Sequence, residues 1–102
     1  MSKGVKDTEG KLRLNLVPIR ATKEIAKVRA FGVAKYGEPW KWLHDEDTTA
    51  DMFVEATMRH ILEWRLGISN DPESGLEHLS HALTSLAMAV EIIESVREDS
   101  ST

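Results

Sequence analysis

The sequence predicts an all-α protein: a three-helix protomer with an extended basic N-terminal arm, packing with further copies of itself into a helical-bundle oligomer. Three observations carry this. Apolar residues recur three and four apart along three stretches, glycine and proline break the chain between them at Gly37, Pro39 and Gly67, and the last stretch is apolar on two faces. At 102 residues the chain reads as one domain, 1–102, with 1–17 as the arm and 98–102 as a frayed tail. A domain of this size buries a modest core and often completes it by association.

In the arm, "KLRLNLV" alternates Leu12, Leu14 and Leu16, which fits either a strand or an extended segment laid on the body. Pro18 suits a first helical turn, and from there to Tyr36 the spacing of Ile25, Val28 and Gly32, flanked by Phe31, marks one amphipathic helix. "KYGEPWKW" ends it, with Gly37 as a left-handed cap and Pro39 as a stop, and "LHDEDTT" is a polar connection. The second helix is expected to start at Thr48, whose hydroxyl can cap an amide near Asp51, and to run to Leu66 before Gly67. It carries two stripes: Val54, Met58, Ile61 and Leu62, and Phe53, Thr57, His60 and Trp64.

Two starts compete for the third helix. One is Asp71-Pro72 and the other a capping box from Ser74 to Glu77; the helix then extends to about Arg97. Its main apolar stripe is Leu76, Leu79, Leu83, Leu86, Val90 and Ile93. His78, His81, Ser85, Met88 and Ile92 lie nearly opposite. With three helices in the chain, cover for Ser85, Met88 and Ile92 is expected from a second copy, giving a homo-oligomer.

Composition narrows the function. Hydrophobic residues make up 41% and charged residues 29%, ordinary for a water-exposed domain. No apolar run reads as the ~20 residues of a membrane span, and "MSKGVKDTEG" has no signal-peptide core. No membrane partner is therefore expected, and the cytoplasm is the expected location. The absence of cysteine removes disulfide and thiolate chemistry. The net charge of −4 hides an asymmetry: residues 1–42 carry +6 and residues 43–102 carry −10. Overall acidity argues against duplex nucleic acid, and a small phosphorylated ligand held by local basic groups or through a metal fits better. Both halves as plain solvated surface is the simpler reading.

Chemistry-bearing groups gather on two helices. Glu55, Arg59, His60 and Glu63 share one flank of the second, and Glu73, Glu77, His78 and His81 open the third. Antiparallel packing would set the two groups face to face. Carboxylates from adjacent helices suit Mg²⁺ or Mn²⁺. Imidazoles favour Zn²⁺, Ni²⁺ or Fe²⁺, or serve as a general base or phosphate donor. The structural alternative is a capped histidine pair, a surface ion pair at Arg59 and Glu63, and a carboxylate at a helix start. Tyr36, Trp40 and Trp42 are a candidate nucleobase wall, or else the seal on the end of the helical core.

Taken in order, "DTEGKLRLNLVP", "FGVAKYGEPWKW", "RHILEW" and "DPESGLEHLSHA" resemble the phage-associated dATP/dGTP diphosphohydrolase-like family, related to the MazG-type all-α NTP pyrophosphohydrolases. The resemblance runs from about Lys6 to Glu94. It implies dimers or tetramers acting in the host cytoplasm, and Mg²⁺-dependent cleavage (Mn²⁺ as a substitute) of a nucleoside triphosphate to monophosphate and pyrophosphate. Arg59 and His60 match its "RH" pair. Asp71, Glu73, Ser74, Gly75, His78 and His81 match its later block, while Lys11 and Tyr36-Gly37 match its upstream signatures. The acidic pairs of the better-characterised pyrophosphohydrolases are absent here; the only ExxE is Glu91 to Glu94.

The expectation is thus a metal-dependent enzyme cleaving (deoxy)nucleoside triphosphates, purine above all. Glu73, His78 and His81 are the expected catalytic groups, and Glu63, Glu73 and Glu77 the metal ligands. Lys11, Arg13, Lys35, Tyr36, Trp40, Arg59 and His60 are expected to contact substrate. A non-hydrolysing, sponge-type nucleotide binder is the alternative, and a purely structural helical oligomer with buried histidines is the third reading.

Overall fold

The structure, a computed structural model, describes residues 10–101. It is all-helical: after a 3₁₀ turn at Leu14–Leu16 come α1 (Ile19–Tyr36), α2 (Lys41–His44), α3 (Ala50–Arg65) and α4 (His78–Ser101), with no strand among the described residues. Residues 1–9 of the expected arm lie outside the described residues. Within its remainder, the leucine alternation forms neither a strand nor a packed segment. Leu16 N–H bonds Arg13 O at 3.0 Å, and Leu12, Leu14 and Leu16 are exposed.

α1 begins after Pro18, as its fixed φ favours. It ends where Gly37 takes φ 79° and donates its N–H to Val33 O at 2.7 Å, a conformation that would strain any residue with a Cβ. The expected break then folds into the one-turn α2. Trp42 Nε1 donates to Pro39 O at 2.9 Å and meets the ring edge of Phe53 on α3 at 5.5 Å. The Arg29 guanidinium donates to the same Pro39 carbonyl and lies over both Trp40 and Trp42, at 5.2 and 5.4 Å. This cation–π stack fastens α2 onto α1.

α3 is capped one residue later than expected. The cap is Thr49, not Thr48: Thr49 Oγ1 accepts from Met52 N–H, an arrangement worth about 1 kcal/mol. Thr48 instead directs its hydroxyl to Asp45 Oδ2. α4 runs back along α3 and forms its closest packing in the chain, with α1 laid against α4 more lightly. Both expected starts for α4 are corrected, because residues 71–77 form a loop and the helix opens at His78; the expected frayed tail is helical to Ser101.

The packing reverses the expected faces of α4. Its inner side is small and polar: Ala82, Thr84 and Ala89 are buried with His78, Ser80 and His81, opposite Thr57 of α3. Small side chains let the two helices approach closely. The hydroxyls are satisfied locally, Thr84 to Ser80 O and Thr57 to Phe53 O, each at 2.8 Å. Ser80 Oγ donates to Glu24 Oε1 at 2.9 Å, tying α4 to α1. Ser85 and Met88, expected at an interface between copies, line a cleft within the chain. The leucine stripe expected as the core is outside, with Leu79, Leu83, Leu86, Val90 and Ile93 all exposed.

By length and composition alone, His78–Ser100 would suffice to cross a membrane, which corrects the expectation that no stretch would. Its inner face bonds to Ser74 and Glu24 and packs on α3, while its leucine face is exposed.

Candidate functional site

The loop between α3 and α4 builds the site. Gly67 at φ 90° turns the chain out of α3, and the strand-like bridge Asn70 to Glu77 closes the loop at its neck. His78 N–H reaches Ser69 O and Asp71 N–H reaches Leu76 O, both at 2.8 Å. Inside this ring Asp71 Oδ1 accepts from the N–H groups of Glu73 and Ser74, each at 2.9 Å, while Gly75 at φ 75° turns the chain back. Asp71 and Ser74 are thereby held over the start of α4.

Three imidazoles meet beneath them. His60 Nδ1 and His78 Nδ1 lie 2.8 Å apart, and the His60 ring stacks on His81 with centroids 4.7 Å apart and planes 15° apart. His81 Nε2 is 2.6 Å from Ser74 Oγ, which also accepts from Leu76 N–H at 3.1 Å. Phe31 of α1 closes against the His81 ring edge-on.

Burial holds the pKa of His60 below its ordinary value, and His81 and His78 push the same way. Burial likewise lowers that of His81, with Asp71 pulling against it. For Asp71, burial acts to raise the pKa. The backbone bonds from Ser74 and Glu73, with the imidazoles of His81 and His60, outweigh it and hold the carboxyl low.

These shifts set a pH dependence. His60 and His81 are neutral in the fold, whereas unfolded histidine takes up its proton near pH 6.5. Below that pH the unfolded chain binds more protons than the folded one. Stability is therefore full above about pH 6.5 and is lost as pH falls toward the folded-state values; Asp71 adds a further loss at more acid pH. Urea midpoints measured from pH 8 to 5 should be level above pH 7 and drop below 6.5. A midpoint that rises on acidification would contradict the buried neutral imidazoles.

A cleft of about 680 Å³ leads from the histidines between α1, α2, α3 and α4. Phe31, Trp42, Phe53 and Met88 give it an apolar wall, and Arg29, Lys35 and Lys41 bring positive charge. Lys35 Nζ contacts both carboxylate oxygens of Glu73, at 3.0 and 2.9 Å, joining α1 to the loop across the cleft's polar end. That contact raises the Lys35 pKa.

Of the residues singled out in the sequence, Lys35, Tyr36, His60, Glu73 and His81 line this cleft. His78 is buried behind it, 4% exposed and against His60. Trp40 lies outside the lining, stacked under Arg29, while Trp42 is inside. Arg59 is exposed and outside the lining, and Lys11 and Arg13 border a separate shallow depression on the arm. The three glutamates do not converge. Glu73 is paired with Lys35, Glu77 is exposed, and neither they nor Glu63 belong to the group whose ligand atoms converge within 4.8 Å. Among the described residues that group is His60, Asp71 and His78. Asp71 and Ser74 match the family block and carry capping groups, and neither has a site role in the sequence reading.

Residues 1–101 match the family described as dATP/dGTP diphosphohydrolase, N-terminal. Over 84 residues the chain is 38% identical to the dATP/dGTP diphosphohydrolase of Salmonella phage PMBT28, covering 81% of this chain and 27% of that protein. The chain thus spans about a quarter of the length of that relative. No solved structure matches. With a family match along nearly its whole length, the chain belongs to the dATP/dGTP diphosphohydrolase N-terminal family.

Proposed function

We propose that this chain binds a (deoxy)nucleoside triphosphate, purine in preference to pyrimidine, and takes part in its hydrolysis to monophosphate and pyrophosphate within a phage-infected cell. The cleft carries this reading: an apolar aromatic wall, a rim holding Arg29, Lys35 and Lys41 beside Glu38, Asp45, Asp71 and Glu73, and the imidazoles of His60 and His81, whose pKa burial lowers, lie along one path. The name of the phage relative supports the substrate class. In this reading Trp42 and Tyr36 meet the base, and Lys35, Lys41 and Arg29 offset the charge of the phosphates.

Hydrolysis adds water across the Pα–O–Pβ bridge, with the water oxygen bonding to phosphorus and pyrophosphate leaving. His81 is the group proposed to accept the water's proton. When its Nε2–H donates to Ser74 Oγ, the Nδ1 lone pair is free, and a lowered pKa keeps it free at neutral pH. The resemblance implies Mg²⁺ or Mn²⁺, but Glu63, Glu73 and Glu77 do not fit such an ion as a set, and no step here depends on one.

Binding without cleavage is the second reading. It is favoured by the scatter of the expected metal ligands, since Glu63, Glu73 and Glu77 do not come together. One experiment addresses both. Purified chain is incubated with purine and pyrimidine triphosphates plus Mg²⁺ or Mn²⁺, with tryptophan fluorescence for binding and product analysis for cleavage. Purine-dependent quenching with monophosphate and pyrophosphate as products is expected. Quenching without products leaves the binder, and neither signal overturns both.

We also propose a homo-oligomer as the working unit, since the exposed leucine face of α4 lacks cover within the described chain.

A further inference from the structure

The geometry points to a transition-metal centre formed by His60, Asp71 and His78. Three separate elements supply it: α3 gives one imidazole, the first residue of α4 gives the other, and the loop between them gives the carboxylate. All three ligand atoms lie within 4.8 Å of one another.

The spacing suits direct coordination. Metal–nitrogen bonds of about 2.0–2.1 Å at angles of 90–109° place two neighbouring imidazole nitrogens about 2.9–3.4 Å apart. The observed Nδ1–Nδ1 separation of 2.8 Å is that of a hydrogen bond between the two rings, and an ion would take the place of its proton with only a small opening of the rings. Each ligand is also oriented from behind. Backbone N–H groups hold Oδ1 of Asp71, stacking on His81 fixes the His60 ring, and His78 is buried at the helix start by its own N–H bond to Ser69.

The donor set decides the class of ion. Mg²⁺ and Ca²⁺ take oxygen ligands, whereas two imidazoles and one carboxylate select Mn²⁺, Fe²⁺, Co²⁺, Ni²⁺ or Zn²⁺. Three protein ligands also leave coordination positions open, as sites that meet a substrate do. His60 and Asp71 line the cleft, so an ion held by them would border its interior. That the bound ion would meet phosphate there rests on the nucleotide reading; the metal centre itself does not.

Cobalt titration without nucleotide tests the centre. Co²⁺ added to the purified chain should develop a visible absorption band saturating at one ion per chain. Zn²⁺ should abolish the band, and a hundredfold excess of Mg²⁺ should leave it. Asp71→Asn and His60→Ala should each weaken Co²⁺ binding at least tenfold, with circular dichroism verifying the helices, while Glu91→Gln on the far part of α4 binds as the parent does. His78→Ala should also weaken Co²⁺ binding at least tenfold; should burial make it unfold, Asp71→Asn and His60→Ala decide. Absence of the band, its displacement by Mg²⁺, or parent-like binding by both Asp71→Asn and His60→Ala overturns the proposal. Since no nucleotide is present, such a failure leaves the nucleotide reading intact, and a normal cobalt band with no nucleotide binding overturns that reading alone.

Discussion

His81→Gln is expected to lower kcat for triphosphate cleavage by at least about a hundredfold, the lower range for loss of a general base, with KM nearly unchanged. The substitution isolates one function of the ring. A glutamine amide can still donate to Ser74 Oγ, which lies 2.6 Å from Nε2 of the imidazole and accepts from it in the proposed tautomer, but it offers no nitrogen lone pair to a water. Loop and cleft should therefore persist while the proton acceptor is lost. The pH profile supplies a second readout that a structural role would not move. In the parent chain, activity should fall on the acid side as His81 gains its proton, below the ordinary histidine value because burial holds its pKa down. In His81→Gln that acid limb should vanish from the residual rate. Ser74→Ala should give a smaller fall, since it frees the ring to turn but leaves the base in place. Full activity in His81→Gln would remove the imidazole from the chemistry and leave it as packing for Phe31 and His60.

The parts of this architecture that depend on local chemistry could be read from the sequence. Gly37 ends α1 where a left-handed residue was needed, and the 3.6-residue spacing located three long helices. α4 was misplaced at its start because "DPESGLE" holds two sets of capping groups, and the fold uses both for something else. Asp71 and Ser74 turn their oxygens inward to the loop's own amides and to His81, so no residue before His78 is free to extend the helix. The same event hid the site. Asp71 becomes a candidate ligand only once the loop has closed over His60 and His78, a contact across the α3–α4 turn that spacing along one helix cannot express. Glu73 and Glu63 looked stronger because carboxylates on facing helices are a common cation site, yet Glu73 reaches Lys35 on α1 instead.

Leu86→Glu is expected to convert an oligomer into monomers or to prevent folding, and the reason lies in which face of α4 the protomer buries. A helical wheel ranks faces by hydrophobicity and assigned the leucines to the core. The protomer buries the small face instead, with Ala82, Thr84 and Ala89 against α3. Among the described residues, the buried hydrophobic side chains are Val28, Ala82 and Ala89 alone, a slight core for a chain of this length. The shape agrees: the radius of gyration is 16.8 Å, against about 13 Å for a compact domain of 100 residues. Leu86 is 47% exposed at the middle of a row running from Leu79 to Ile93, and α3 exposes Met58 and Leu62 as well. A continuous apolar face of this kind is characteristic of an interaction surface, and a two-fold pairing of α4 with its copy would cover each leucine twice. Fully burying one leucine is worth about 1.5–3 kcal/mol, so covering the exposed half of Leu86 in both copies contributes roughly 1.5–3 kcal/mol. Leu86→Ala should accordingly weaken association by about tenfold to a hundredfold, at roughly 1.4 kcal/mol per tenfold. Glutamate should do worse, since it would bury a charge with no partner. Met88→Glu, which falls in the cleft, should disturb nucleotide binding more than assembly. Sedimentation of the parent chain at micromolar concentration is the decisive measurement: a monomer there would mean that another surface, not a second copy of this chain, covers the leucine face.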